Sequence, residues 1–172
     1  MNTRSALLVT ATAVLIAGCG AATPAAGPAP TTSVEAAAPA QALTITDPWV
    51  KAVKEGMTAA FGTLVNHTDS PITVVAGASP LSPEIELHEV VESDKKMIMR
   101  PKEGGFVVPA RGSHELKPGG DHIMLMGVKE EVKPGAEIPI TLTLQEGPPL
   151  EFTAVGKDFA GAKEDYQPGT DH

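Results

Sequence analysis

From Ala42 onward the chain divides into short apolar runs separated by turn residues, and within the runs apolar and polar positions alternate with a period of two. Turn signals stand at Asp47-Pro48, Glu55-Gly56, 66–71, Ser79-Pro80, Gly104-Gly105, Lys117-Pro118-Gly119-Gly120, Lys133-Pro134-Gly135 and Gly147-Pro148-Pro149. Between them lie apolar segments at 59–65, 72–75, 85–91, 106–109, 123–128 and 138–144. Many short strands at this spacing predict an all-β domain, a sandwich or barrel. The run Ile138-Pro139-Ile140-Thr141-Leu142-Thr143-Leu144 alternates cleanly, and Pro139 marks it as a strand start or an edge.

Composition narrows this picture further. Gly 17 and Pro 16 with only 3% aromatic residues argue against long helices, and 172 residues suit one domain with flexible ends. A formal charge of -8 without a basic stripe argues against a nucleic-acid partner.

The start of the chain predicts where it works. Arg4 precedes an apolar run at 6–17, the length of a signal-peptide core rather than a membrane span. The run ends Leu15-Ile16-Ala17-Gly18-Cys19, which resembles a bacterial lipobox and implies a signal peptide over 1–18 and lipidation of Cys19. Residues 19–41 then form an Ala- and Pro-rich tether whose only charge is Glu35. The expected domain spans 42–156, and the polar stretch 157–172 is expected to be a disordered end. The protein is thus expected to be lipid-anchored to the membrane on its extracytoplasmic face. Cys19 is the one cysteine of the chain, so the domain has no disulfide, thiolate ligand or cysteine nucleophile.

The candidate chemistry lies in three strand-like segments that carry His88, Met99 and His122-Ile123-Met124. Thioether sulfur is a poor ligand for hard cations, whereas Cu(I) is soft and accepts sulfur and imidazole. Two neutral imidazoles and two thioethers add no charge and lose no thiol proton on binding, so such a site can both hold and release its ion. The period of two puts His122, Met124 and Met126 on one face of a strand and Ile123 and Leu125 on the other. His88 and Met99 have their midpoint between Ser93 and Asp94, so a hairpin there predicts that they face each other across an antiparallel pair. Met97 and Met126 share those faces as supporting residues. His67 and His114 lie in turn-rich segments and His172 ends the chain, so all three are expected to be solvated. Glu84, Glu86, Glu89 and Glu92 read as a solvated strand edge whose negative charge attracts a cation. Met is most often a flexible core filler, but an apolar core rarely wants two imidazoles. Nothing in the sequence places Trp49, which would shield Cu(I) from oxidation, near these residues.

Taken together, these residues resemble the periplasmic copper chaperones of the PCuAC type. That family's pattern is His, ten residues, Met, about twenty-one residues, then His-X-Met. Here His88 and Met99 are followed, one residue later than the pattern, by His122-Ile123-Met124, and the extra residue falls in a stretch holding Gly104-Gly105 and Gly119-Gly120. Leu87-His88-Glu89, Met97-Ile98-Met99-Arg100 and Leu116-Lys117-Pro118-Gly119-Gly120 are similar to the family as well, and the resemblance covers 43–155. It implies a cupredoxin-like Greek-key β-sandwich that binds Cu(I) and passes it to the dinuclear copper site of cytochrome c oxidase, with the oxidase subunit or a thiol-bearing copper-transfer protein as partner. Hand-off by ligand exchange implies a shallow, accessible ion.

Rival readings differ in what they require. A blue-copper electron carrier needs a Cys thiolate that this domain lacks. No nucleophile, base and open metal position converge, so no enzyme is expected. A copper-buffering or resistance lipoprotein needs the same ligands but no oxidase, and a metal-free interaction module needs only the methionine face.

Overall fold

The computed structural model describes residues 41–93, 95–161 and 165–166, and all regular structure among them is β. Eleven strands follow in order: β1 (Leu43–Lys51), β2 (Gly56–Asn66), β3 (Ile72–Ala78), β4 (Glu84–Ser93), β5 (Lys96–Pro101), β6 (Phe106–Val108), β7 (Ser113–Leu116), β8 (His122–Val128), β9 (Glu137–Leu144), β10 (Leu150–Lys157) and β11 (Asp165–Tyr166). Their lateral order is β11-β5-β4-β8-β2-β1-β10-β9-β3-β6, with β7 also on β2. Neighbours distant in sequence, such as β4 beside β8 and β1 parallel to β10, make the crossovers of the expected all-β architecture.

Alternation separates the faces. In β9 the buried residues are Ile138, Ile140, Leu142 and Leu144, and they join Leu64, Val74, Phe106, Ile123 and Leu125 in the main core. Pro139 pairs with Thr153 of β10, while the ladder to β3 begins only at Thr141, so its missing N–H is asked for by no strand on that side. The opposite face of β5, β4, β8, β2 and β1 carries a second, smaller cluster of Ala59, Phe61, Met99 and Met124.

Some turn signals proved to be something else. Asp47-Pro48 lies inside β1 as a bulge: the register to β2 shifts between Thr46 and Trp49, and Asp47 takes φ 50°. Proline lacks the donor that a regular ladder would need there, and the bulge absorbs the extra residue. At the far end, β10 runs one residue past the expected boundary, and Asp165–Tyr166 pairs in parallel with β5. By contrast Gly104-Gly105 is a true turn. Gly105 has φ 74°, and a Cβ there would lie 1.9 Å from the Val74 carbonyl oxygen.

An ion network clamps the ends of the strands that carry the candidate ligands. Lys102, just beyond β5, donates to Glu89 of β4 at 3.0 Å and to Asp121, beside β8, at 3.4 Å. Arg100 donates to the other Glu89 oxygen at 3.0 Å, and the His114 Nε2 sits 2.9 Å from Asp121. Two expectations change here. His114 is half-buried and stacks on Phe106 with ring centroids 5.4 Å apart, rather than standing in solvent. Glu89 is neutralised by two cations rather than forming a free negative edge, although Glu84 and Glu92 are exposed as expected. His67 is exposed as well, and His172 lies outside the described residues.

The hydrogen bond from Lys102 holds the Glu89 carboxyl below its ordinary range; burial opposes it, and Arg100 adds to the lowering. Burial pushes the Lys102 ammonium down, but Glu89 and Asp121 outweigh it and the net direction is up.

Two outcomes follow for stability. A Gly105→Ala variant should lose more than about 1 kcal/mol in urea denaturation, because the strained φ and the carbonyl clash add. A folded-state pKa below the unfolded value stabilises the fold above the unfolded carboxylate range, and that contribution disappears as pH falls through the folded pKa. The stability difference between wild type and Glu89→Gln should therefore be present at pH 7 and vanish in strong acid. A pH-independent difference between the two proteins would show that the clamp is not ionic.

Candidate metal centre

The four candidate ligands come together on one sheet face through pairing that the sequence alone does not specify. β4 and β8 are antiparallel neighbours whose register sets His88 directly opposite His122 and Glu86 opposite Met124. Directly opposed residues have Cβ atoms about 4.5 to 5.5 Å apart, and here the two imidazole centroids are 5.5 Å apart at an interplanar angle of 68°. Met124 in turn faces Ala59 of β2.

The expected pairing of His88 with Met99 is corrected. Ser93 pairs with Lys96, which centres the hairpin between residues 94 and 95, one residue beyond the expected midpoint between 93 and 94, and Asp94 lies outside the described residues. His88 therefore faces Pro101, and Met99 faces Val90. Lys95 at φ 64° takes the left-handed conformation of this short turn. A displacement of two residues keeps the side-chain face, so Met99 is still on the side of His88, diagonal to it rather than opposite.

Burial also departs from the shallow site expected. His88 is 0% exposed, His122 4%, Met124 5% and Met99 8%. The reason is chemical: thioethers lose little hydration when buried and each imidazole keeps a hydrogen bond, to Glu86 or to the Gly120 carbonyl, so the apolar cluster can close around them. Trp49, Val90 and Met126 pack against that cluster. Trp49, whose place the sequence left open, stacks on Phe61 at 4.5 Å, and Phe61 lies 6.1 Å from the His122 ring. Phe159 packs edge-on against Trp49 at 5.4 Å. Access is through a cleft of about 150 Å³ lined by Met57, Phe61, Met99, Pro118, His122 and Met124.

Each imidazole is oriented by a hydrogen bond. His122 Nδ1 lies 2.9 Å from the Gly120 carbonyl oxygen, an acceptor, so Nδ1 carries the proton and Nε2 the lone pair. His88 Nε2 lies 2.6 Å from Glu86 Oε2, which likewise makes Nε2 the donor when the carboxyl is ionised. Glu86 is thus not part of a solvated edge. It sits two residues before His88 on the same strand, hence on the same face, and that spacing was the available signal.

Of the supporting residues, Met126 is half-buried against the cluster, whereas Met97 is 49% exposed at the margin. Met57, 46% exposed, was missed by the sequence reading although it lies two residues before Ala59. Among the described residues no three His, Cys, Asp or Glu side chains gather for a harder ion. What gathers is two imidazoles and two thioethers, a donor set suited to a soft, low-charge cation.

The family profile described as "Putative lipoprotein LpqE-like" matches residues 43–155. A relative from Leifsonia xyli subsp. xyli (strain CTCB07), "Putative lipoprotein Lxx21020", is 38% identical over 128 residues, 74% of this chain and 77% of the relative. Among solved structures, apo-DR1885 from Deinococcus radiodurans is 34% identical, with 85% of this chain and 98% of that chain covered and a TM-score of 0.55. Its Cu(I) form is 33% identical at a TM-score of 0.52, with 72% and 85% covered. The copper-bound PCuAC domain from PmoF2, at 18% identity and a TM-score of 0.57 over 69% of this chain and 94% of that one, shares the fold. The architecture is therefore the cupredoxin-like β fold of PCuAC domains, and the chain belongs to the LpqE-like family.

Proposed function

We propose that this protein is an extracytoplasmic, lipid-anchored Cu(I) carrier whose ligands are His88, Met99, His122 and Met124. The observation that carries the reading is the buried His88–His122 rung on the sheet face that also carries Met99 and Met124, with Met99, His122 and Met124 lining one cleft. Two structures similar to this chain are described as a Cu(I) form and a copper-bound domain, which supports the same ion here. The ion is cargo. Neutral imidazole and thioether add no charge and no thiol proton has to be lost on binding, and weak thioethers yield stepwise to the thiolates or imidazoles of an acceptor. The cleft lets an acceptor reach the thioethers, while the indole of Trp49 covers one side of the cluster.

The proposed organisation is a signal peptide over 1–18, lipidated Cys19, a tether to residue 41, the copper domain from residue 42 through β10, which ends at Lys157, and a polar end whose Asp165–Tyr166 pairs back onto β5. The lipoprotein description of the family and of the Leifsonia relative supports the anchor. The acceptor in this reading is the dinuclear copper site of cytochrome c oxidase, reached directly or through a thiol-bearing transfer protein.

Cu(I) titration of the protein against a chromogenic Cu(I) chelator should give one tight equivalent. His88→Ala, His122→Ala and Met124→Ala should each weaken it at least about tenfold, or about 1.4 kcal/mol. If wild type takes no copper from the chelator, the carrier reading is wrong and the methionine face is a protein contact. Deleting the gene should lower oxidase activity at limiting copper and restore it on copper supplementation. Normal oxidase activity together with copper sensitivity would instead identify a buffering protein.

A further inference from the structure

Glu86 plays no part in the ligand set, yet its carboxylate makes one of the shortest side-chain contacts near it. Oε2 lies 2.6 Å from His88 Nε2, with the imidazole 0% exposed and the carboxylate 25% exposed. Such a distance is at the short end for a charge-assisted hydrogen bond. Glu86 also faces Met124 across the β4–β8 ladder, so its side chain belongs to the same sheet face as the proposed ligands.

Resting on the Cu(I) reading above, we propose that Glu86 is a positioning residue for that ion: it holds His88 by Nε2–H, presents Nδ1 as the ligand nitrogen, and supplies the counter-charge. The chemistry has two parts. A ring donating through Nε2 keeps its lone pair on Nδ1, and the acceptor on the far nitrogen both fixes the ring plane and strengthens the donor. The proposed ligands are all neutral, so the bound ion would bring an uncompensated positive charge into a buried place, which is unfavourable without a partner. A carboxylate one hydrogen bond away neutralises it without entering the coordination sphere, and so without hindering ligand exchange. The two histidines are then oriented differently: His88 by a carboxylate through Nε2, His122 by the Gly120 carbonyl through Nδ1. Only the first adds charge.

The test uses the whole protein with ¹⁵N-labelled histidine and the variants Glu86→Gln and Glu86→Ala. Long-range proton–nitrogen correlation of the copper-free protein reads the tautomer of each imidazole, and Cu(I) competition reads affinity. Wild type should show His88 protonated at Nε2. Glu86→Gln, which keeps an acceptor oxygen but no charge, should keep that tautomer and bind Cu(I) several-fold more weakly. Glu86→Ala should lose the single tautomer and weaken binding by about 10- to 100-fold. His122 should keep Nδ1–H throughout, which reports an intact fold. A wild-type His88 protonated at Nδ1, or a Glu86→Ala protein with unchanged tautomer and affinity, overturns the proposal. Should wild type bind no copper, the carrier reading fails on its own, and the copper-free tautomers still decide whether Glu86 orients His88.

Discussion

The antiparallel pairing of β4 with β8 is the constraint on which the site depends. Each strand is amphipathic in the sheet sense: Leu87, Ile123 and Leu125 go to the main core, and His88, His122 and Met124 to the other face. A slip of one residue would send the imidazoles of one strand into the hydrocarbon core and its apolar side chains toward the cleft. The register that buries the core is thus the register that assembles the rung. Core packing and site geometry are satisfied by one alignment, and neither can be changed without the other.

Around that rung the surroundings differ in charge with some economy. On the ligand side are uncharged donors, Phe61, Trp49 and Met126, with Glu86 as the anion in direct hydrogen-bonding reach. Beyond the ladder end, Arg100, Glu89, Lys102, Asp121 and His114 form a mutually compensated chain that ties β4, β5 and the approach to β8 together. A cation in the proposed ligand set would meet the Glu86 carboxylate through its hydrogen bond to His88, in a cleft that Lys51 also lines.

Burial and release are compatible in such a site. The four donors are nearly inaccessible, yet the cleft opens onto Met99, Met124 and His122. An acceptor need not expose the whole centre. It needs to reach thioethers, which are flexible and weakly held, while His88 remains fixed below. Met57 at the lip can move without disturbing the core, since it is nearly half exposed at the start of β2.

The sequence by itself determined what is local. Alternation identified most of the strands and assigned His122 and Met124 to the face opposite Ile123 and Leu125, because side-chain direction in a strand depends only on parity. Residue chemistry pointed to a soft ion, since two imidazoles and two thioethers suit little else. Parity also survived the two-residue error in the hairpin at Ser93 and Lys96, which is why Met99 was still on the right face. Only the tertiary structure decided what is non-local: that β4 lies beside β8, that His88 therefore opposes His122 rather than Met99, that Trp49 closes over the cluster, and that His114 and Glu89 are held in a network. Strand adjacency is set by packing among residues far apart in the chain, and no pattern within a single segment encodes which segment it will meet.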